Sequence, residues 1–191
     1  MIDAILVNKS TKVKFEIKSL ISFCLIVCAV GLPHIVHLFF GAAGGVTLLP
    51  MYLPVIIGGC LLGFKWGLMV GIASPLLSFL ITSSFGSPMP AIQRLPFMVI
   101  ELMVFATVAG SFSKLITKNS LYVIPAVLLS QIAGRLSFVL LVAIFQNVTS
   151  LSLSLVLSQI QSGIWGILAQ LVIVPLVIIS LSNLVKENGN E

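Results

Sequence analysis

Apolar runs of about 17–25 residues recur along this chain, the length a helix needs to cross the hydrocarbon layer of a bilayer. Within lipid every backbone amide must be bonded inside the chain, which leaves helices or a closed barrel. The runs are continuous and lack the alternating pattern of barrel strands, so helices are expected. Composition agrees: 59% of the 191 residues are hydrophobic and 8% are charged, against about 45–50% and about 25% in a soluble domain. Mean hydropathy is +1.21. The sequence predicts an all-α integral membrane protein.

A six-transmembrane-helix bundle is expected, forming a single membrane domain over residues 1–191 with spans at about 15–38, 48–63, 68–83, 95–115, 121–145 and 158–185. The segment GAAGG, with Gly41, Gly44 and Gly45, follows the first span and reads as a loop whose small residues suit mobility or close packing. The turn Phe64 to Gly67 joins the second and third spans, and a proline-bearing loop from Ser83 to Arg94 leads into the fourth. Lysines precede the first apolar run without a small-residue cleavage site, so no cleavable signal peptide is expected.

Basic residues set the orientation, because cytoplasmic loops carry the excess of lysine and arginine. With the N-terminus inside and six crossings, Lys9, Lys12, Lys14, Lys18, Lys65, Lys114, Lys118 and Lys186 fall at inner ends, eight of the ten basic residues. Both termini are therefore expected in the cytoplasm, with the chain multi-pass in the cell membrane. The net charge of +5 is read as a topology signal, with no nucleic-acid partner. Asn147, Val148 and Thr149 match a glycosylation sequon on the outer side, but so short a pattern recurs by chance and is read that way.

Cys24, Cys28 and Cys60 fall within apolar helices, at spacings that suit neither a metal set nor a disulfide, and read as small buried residues. Cys24 and Cys28 also have the small-x-x-x-small form that lets helices approach closely in lipid. Internal packing and a docking face for another membrane subunit both fit that form. Gly58, Gly59, Gly63, Gly67 and Gly71 extend the same pattern across the second and third spans.

The charges inside the apolar runs carry the functional argument. Each costs about 2.5–3.5 kcal/mol at bilayer depth on insertion scales. Glu101 lies about 9 Å below the outer start of the fourth span at 1.5 Å per residue. Arg94 is seven residues earlier, on nearly the same face, and Arg135 falls near the middle of the fifth span. Gln131 shares a face with Arg135, and Gln159, Gly163, Gly166 and Gln170 form an open polar stripe on the sixth span. One reading is a structural ion pair between Glu101 and Arg135, with glutamines bonding neighbouring helices. The other, which the convergence of three helices favours, is a water-accessible pocket in the outer half for a small polar ligand, with Arg94 or Arg135 available to a carboxylate.

His34 and His37 have no companion cluster, so no metal site is expected and interfacial packing is the reading. The chain contains no GxGxxG or Walker A sequence, no G-x-S-x-G and no HExxH. It is not read as an enzyme and no cofactor is expected; energy for transport would come from a partner or an ion gradient.

The run LPMYLPV, from Leu49 to Val55, opening the second span of a short six-helix chain, resembles the S components of energy-coupling-factor (ECF) vitamin transporters. The resemblance continues through Gly59, the turn Gly63 to Gly67, the run Ser74 to Ser78, Met89-Pro90 and Glu101-Leu102, and covers most of the first 115 residues. A histidine is common in that family where this chain has Tyr52. The resemblance implies high-affinity binding of a water-soluble vitamin or precursor in the outer half of the bundle. It also implies a gate at Gly41, Gly44 and Gly45, and docking through Cys24 and Cys28, in the place of the family's A-x-x-x-A motif, onto a membrane coupling subunit (T component) driven by two cytoplasmic ATPases. On that basis Arg94, Glu101, Gln131, Arg135, Gln159 and Gln170 are the expected substrate-binding residues. The alternative is a solitary secondary transporter for a small polar solute.

Overall fold

The structure, a computed structural model, describes residues 2, 10–147 and 151–188. Lys9, and Val148 and Thr149 of the sequon, lie outside the described residues, as does the side chain of Lys186. The helices are α1 (Thr11–Leu48), α2 (Tyr52–Leu62), α3 (Phe64–Ser84), α4 (Leu95–Ser111), α5 (Ser113–Lys118), α6 (Val123–Phe145), α7 (Leu153–Ser162) and α8 (Ile164–Asn188), with a 3-10 turn at Ser120–Tyr122. Among the described residues there is no strand. Five helical stretches are long and apolar enough to cross a membrane: Thr11–Gly41, Phe64–Ser84, Leu95–Lys118, Ser120–Phe145 and Ile164–Asn183. The chain is a multi-pass helical membrane bundle.

Three elements depart from the sequence expectation. The second expected span is α2, an 11-residue helix buried at every position except Leu53. At 1.5 Å per residue it is about 16 Å long, roughly half the hydrocarbon thickness. Such a helix can be apolar all round because protein surrounds it: α1, α3, α4 and α8 all pack on it.

The second departure is the glycine segment. It is helical rather than a loop, with Gly41 alone leaving helical geometry at φ 66° and ψ −169°. A residue without Cβ takes that φ freely, and resuming the helix bonds the amides that follow. The third is the last expected span, which divides at Gly163 into α7 and α8. Leu49 sits against that break, so a Cβ on Gly163 would come within 2.8 Å of the Leu49 side chain.

Close backbone approach organises the centre. Gly63, at φ 83°, is the single residue between α2 and α3. Beyond it the chain folds back so tightly that a Cβ on Gly67 would lie 2.7 Å from Gly59 Cα. Gly59, Gly67 and Gly71 face the α4 backbone at Leu102 and Ala106, which places this glycine series inside the bundle. Cys60 is buried on α2, while Cys24 and Cys28 are exposed on α1, opposite the inward residues Ser22, Ile26 and Ala29.

The same contacts define the two ends of the bundle. Phe15 on α1 meets Trp66 on α3 edge-on, with ring centroids 5.2 Å apart. Gly110 of α4 lies against Phe64, and Ser113 against Gly63. Lys12, Lys14, Lys18, Lys65, Lys114 and Lys118 thus gather at the end that holds the start of α1, the α2–α3 turn and the end of α4. The start of α4, with Arg94, lies at the opposite end.

Candidate functional site

Glu101 projects from α4, whose first turn carries Pro96, a residue suited to a helix start. The loop before α4 is held onto α3 by side chains. Thr82 Oγ1 accepts from Met89 N at 2.7 Å, and Ser78 Oγ donates to the Met89 carbonyl at 2.8 Å. Arg94 N and Leu95 N then both donate to the Ala91 carbonyl, closing the turn into the helix. Ser78 and Thr82 thereby fix where Arg94 stands.

Glu101 is 1% exposed. Arg135 Nη1 on α6 donates to its Oε1 at 2.7 Å, and the Tyr52 hydroxyl on α2 donates to its Oε2 at 2.6 Å. The Arg135 guanidinium lies over the Tyr52 ring at 4.7 Å, and Tyr52 meets Phe105 edge-on at 5.2 Å. One carboxylate therefore joins three helices. A buried ion pair needs its other lone pairs and protons satisfied to persist in apolar surroundings, and Tyr52 meets that need on the acid side.

The arginine side is incompletely met. Among the described residues, Arg135 Nε and Nη2 and Arg94 Nη2 are buried without a hydrogen-bond partner.

A cavity of about 330 Å³ opens beside this hub, lined by Arg94, Glu101, Arg135 and Gln159 of the expected binding residues. Apolar groups fill much of the rest of its wall, among them Pro33, Met51, Met98 and Phe138. Its size falls in the range of small-molecule sites, about 300–1,000 Å³.

Gln131 and Gln170 take a different place. Gln131 Nε2 donates to Gln170 Oε1, and Gln170 Nε2 donates to the Leu49 carbonyl at 3.1 Å. Neither lines the cavity. Together with Gly166, where a Cβ would meet the Leu48 carbonyl oxygen at 2.6 Å, they form a seam around the end of α1. Most of the polar stripe on the last expected span thus serves packing, and Gln159 alone of it faces the cavity. The seam holds Leu49, which sits at φ 48°, a left-handed conformation that an L-residue adopts at a cost of about 1–2 kcal/mol.

Of the expected gate, Gly45 lines the cavity, while Gly41 and Gly44 do not. Gly44 lies against Phe40 and Val36 of its own helix. His37 lines the cavity, whereas His34 Nδ1 donates to the Val30 carbonyl one turn earlier at 2.9 Å.

Tyr52, Ser78 and His37 also line the cavity, beyond the residues expected to bind. Tyr52 carried a usable signal: a phenol at lipid depth needs a partner, and Glu101 is the one acid deep within an apolar run, Glu16 standing at the very start of the first. No family model matches this chain, and neither a curated protein nor a solved structure matches it.

Proposed function

We propose that this chain is the substrate-binding membrane subunit of an ECF-type importer for a water-soluble vitamin or precursor, binding its ligand in the cavity beside Glu101. The observation that carries the reading is that cavity, placed at the end of the bundle away from the lysines and walled by both free-donor arginines. With the lysines inside, as positive-inside bias requires, the cavity opens outward, both termini are cytoplasmic, and α2 counts as a short sixth crossing. The membrane is then the cell membrane.

The exposed side of α1 supports a partner. Only 11% of its apolar window is buried in the bundle, against 28% to 39% for the other four long helices. Cys24 and Cys28 lie on that side and leave it shallow enough for a close helix–helix approach. The partner in this reading is a coupling subunit carrying two cytoplasmic ATPases, which supply the energy.

A thermal-shift screen of the detergent-purified protein against water-soluble vitamins and precursors tests the binding role. A ligand stabilises by RT ln(1 + [L]/Kd), about 4 kcal/mol at a thousandfold excess over Kd. Uptake in cells co-expressing the coupling subunit and ATPases tests the rest. Arg135→Ala abolishes binding, whereas Cys24→Leu with Cys28→Leu keeps binding and blocks uptake. Uptake that ignores ATPase-site mutations and collapses with ionophores makes the chain a solitary secondary transporter instead.

A further inference from the structure

The cavity holds unequal charge. Two guanidiniums, Arg94 and Arg135, and one carboxylate, Glu101, face it; with histidine counted as neutral, one positive charge is left over. The oxygens of Glu101 accept from Arg135 Nη1 and the Tyr52 hydroxyl, and its ion pair is with Arg135. The donors that remain are Arg135 Nε and Nη2 and Arg94 Nη2, all buried and without partners among the described residues. A guanidinium does not shed its proton, so these groups call for an acceptor, and the surplus charge calls for an anionic one.

We propose that the cavity selects a small organic monoanion, whose carboxylate is received by Arg94 and Arg135 and whose apolar body lies along Pro33, Met51, Met98 and Phe138. This rests on reading the cavity as a ligand site and adds the chemical class of the ligand. A planar carboxylate matches the forked donors of arginine, and one negative charge balances the surplus, where a dianion such as sulfate would overshoot it. The methionines of the lining, Met51, Met89 and Met98, adapt to a body of varied shape. Gln159, the residue of α7 that lines the cavity, discriminates among polar substituents on that body.

Pentanoate and pentanamide, alike in length and shape, separate charge from bulk. The full-length protein in detergent should be stabilised saturably by pentanoate and not by pentanamide at equal ionic strength. In Arg94→Gln, pentanoate affinity should fall about tenfold or more, the loss of a hydrogen bond to a charged group. Arg94→Lys, which keeps the charge and loses the fork, should fall between the two. If the glutamine variant does not fold, the lysine variant and the wild-type acid–amide contrast decide.

Equal stabilisation by pentanamide or by sulfate, or no saturable effect of pentanoate, overturns the proposal. Its failure is distinct from failure of the transport reading. A neutral vitamin that binds while pentanoate is silent removes only the anion assignment. Acid-specific stabilisation without ATPase-dependent uptake removes only the importer.

Discussion

Glu101 answers to two neighbours at once, and single substitutions around it should have unequal costs. Tyr52→Phe removes one donor and leaves Oε2 buried with an unmet acceptor, a loss of about 1–3 kcal/mol that a thermal melt in detergent would register. Glu101→Leu strands the Arg135 charge and should cost about 3–5 kcal/mol, while Glu101→Leu combined with Arg135→Leu should recover most of it. A double variant as unstable as the sum of its parts would mean that the pair itself holds the bundle together. Gln131→Leu makes the contrasting case. Gln131 bonds Gln170 outside the cavity, so the change should leave ligand affinity nearly unchanged and lower stability by about 0.6 kcal/mol. A large loss of affinity would place Gln131 in the site after all. These residues show what the sequence made legible. The meeting of Glu101 with Arg135 followed from their depth, since charges within lipid seek each other. The separate fate of Gln131 and Gln170 did not, because a polar stripe looks the same whether a ligand or a backbone carbonyl faces it.

At the scale of elements, hydropathy located the long helices well: the expected 68–83 and 121–145 correspond to α3 and α6. It misplaced boundaries where glycine decides them, because glycine is common inside membrane helices and hydropathy does not tell which one interrupts a helix. Gly41 and Gly163 interrupt helices, whereas Gly31, Gly44, Gly45 and Gly166 do not. Crowding alone does not sort them: Gly41 has nothing within 4 Å of an added Cβ, whereas Gly166, with the Leu48 carbonyl oxygen at 2.6 Å, stays helical. Gly31 and Gly67 yield a paired prediction. Gly31 has nothing within 4 Å of an added Cβ, so Gly31→Ala should be neutral or stabilising by about 0.5–1 kcal/mol. Gly67→Ala would bring Cβ to 2.7 Å from Gly59 Cα, with backbone on both sides and no flexible side chain to give way. The α2–α3 hairpin must then open, at about 1–3 kcal/mol, lowering the melting temperature of the purified protein. Equal melting temperatures for the two variants would contradict the close approach of α2 and α3.

For the whole molecule, the arrangement of charge and cavity makes orientation testable. Six lysines and the Phe15–Trp66 pair occupy one end, the kind of side chains that meet lipid headgroups at a membrane interface. Arg94, the α3–α4 loop and the cavity occupy the other. Only if α2 crosses the membrane do the two termini share a side, and α2 is short. Its shortness is compatible with crossing because α1, α3, α4 and α8 enclose it, so protein rather than lipid meets its ends. Accessibility decides the matter. In a background with Cys24, Cys28 and Cys60 replaced by alanine, single cysteines are placed at two exposed sites, Ser87→Cys in the α3–α4 loop and Lys118→Cys at the end of α5. An impermeant maleimide added to intact cells should label position 87 and reach position 118 only after the membrane is opened. A third cysteine, Lys12→Cys, should behave as Lys118→Cys does if the bundle crosses between residues 12 and 118 an even number of times. Labelling of position 12 in intact cells while 118 stays protected would mean that α2 does not cross. The lysine end would then have no single side, and an outward-facing cavity would lose its physical basis.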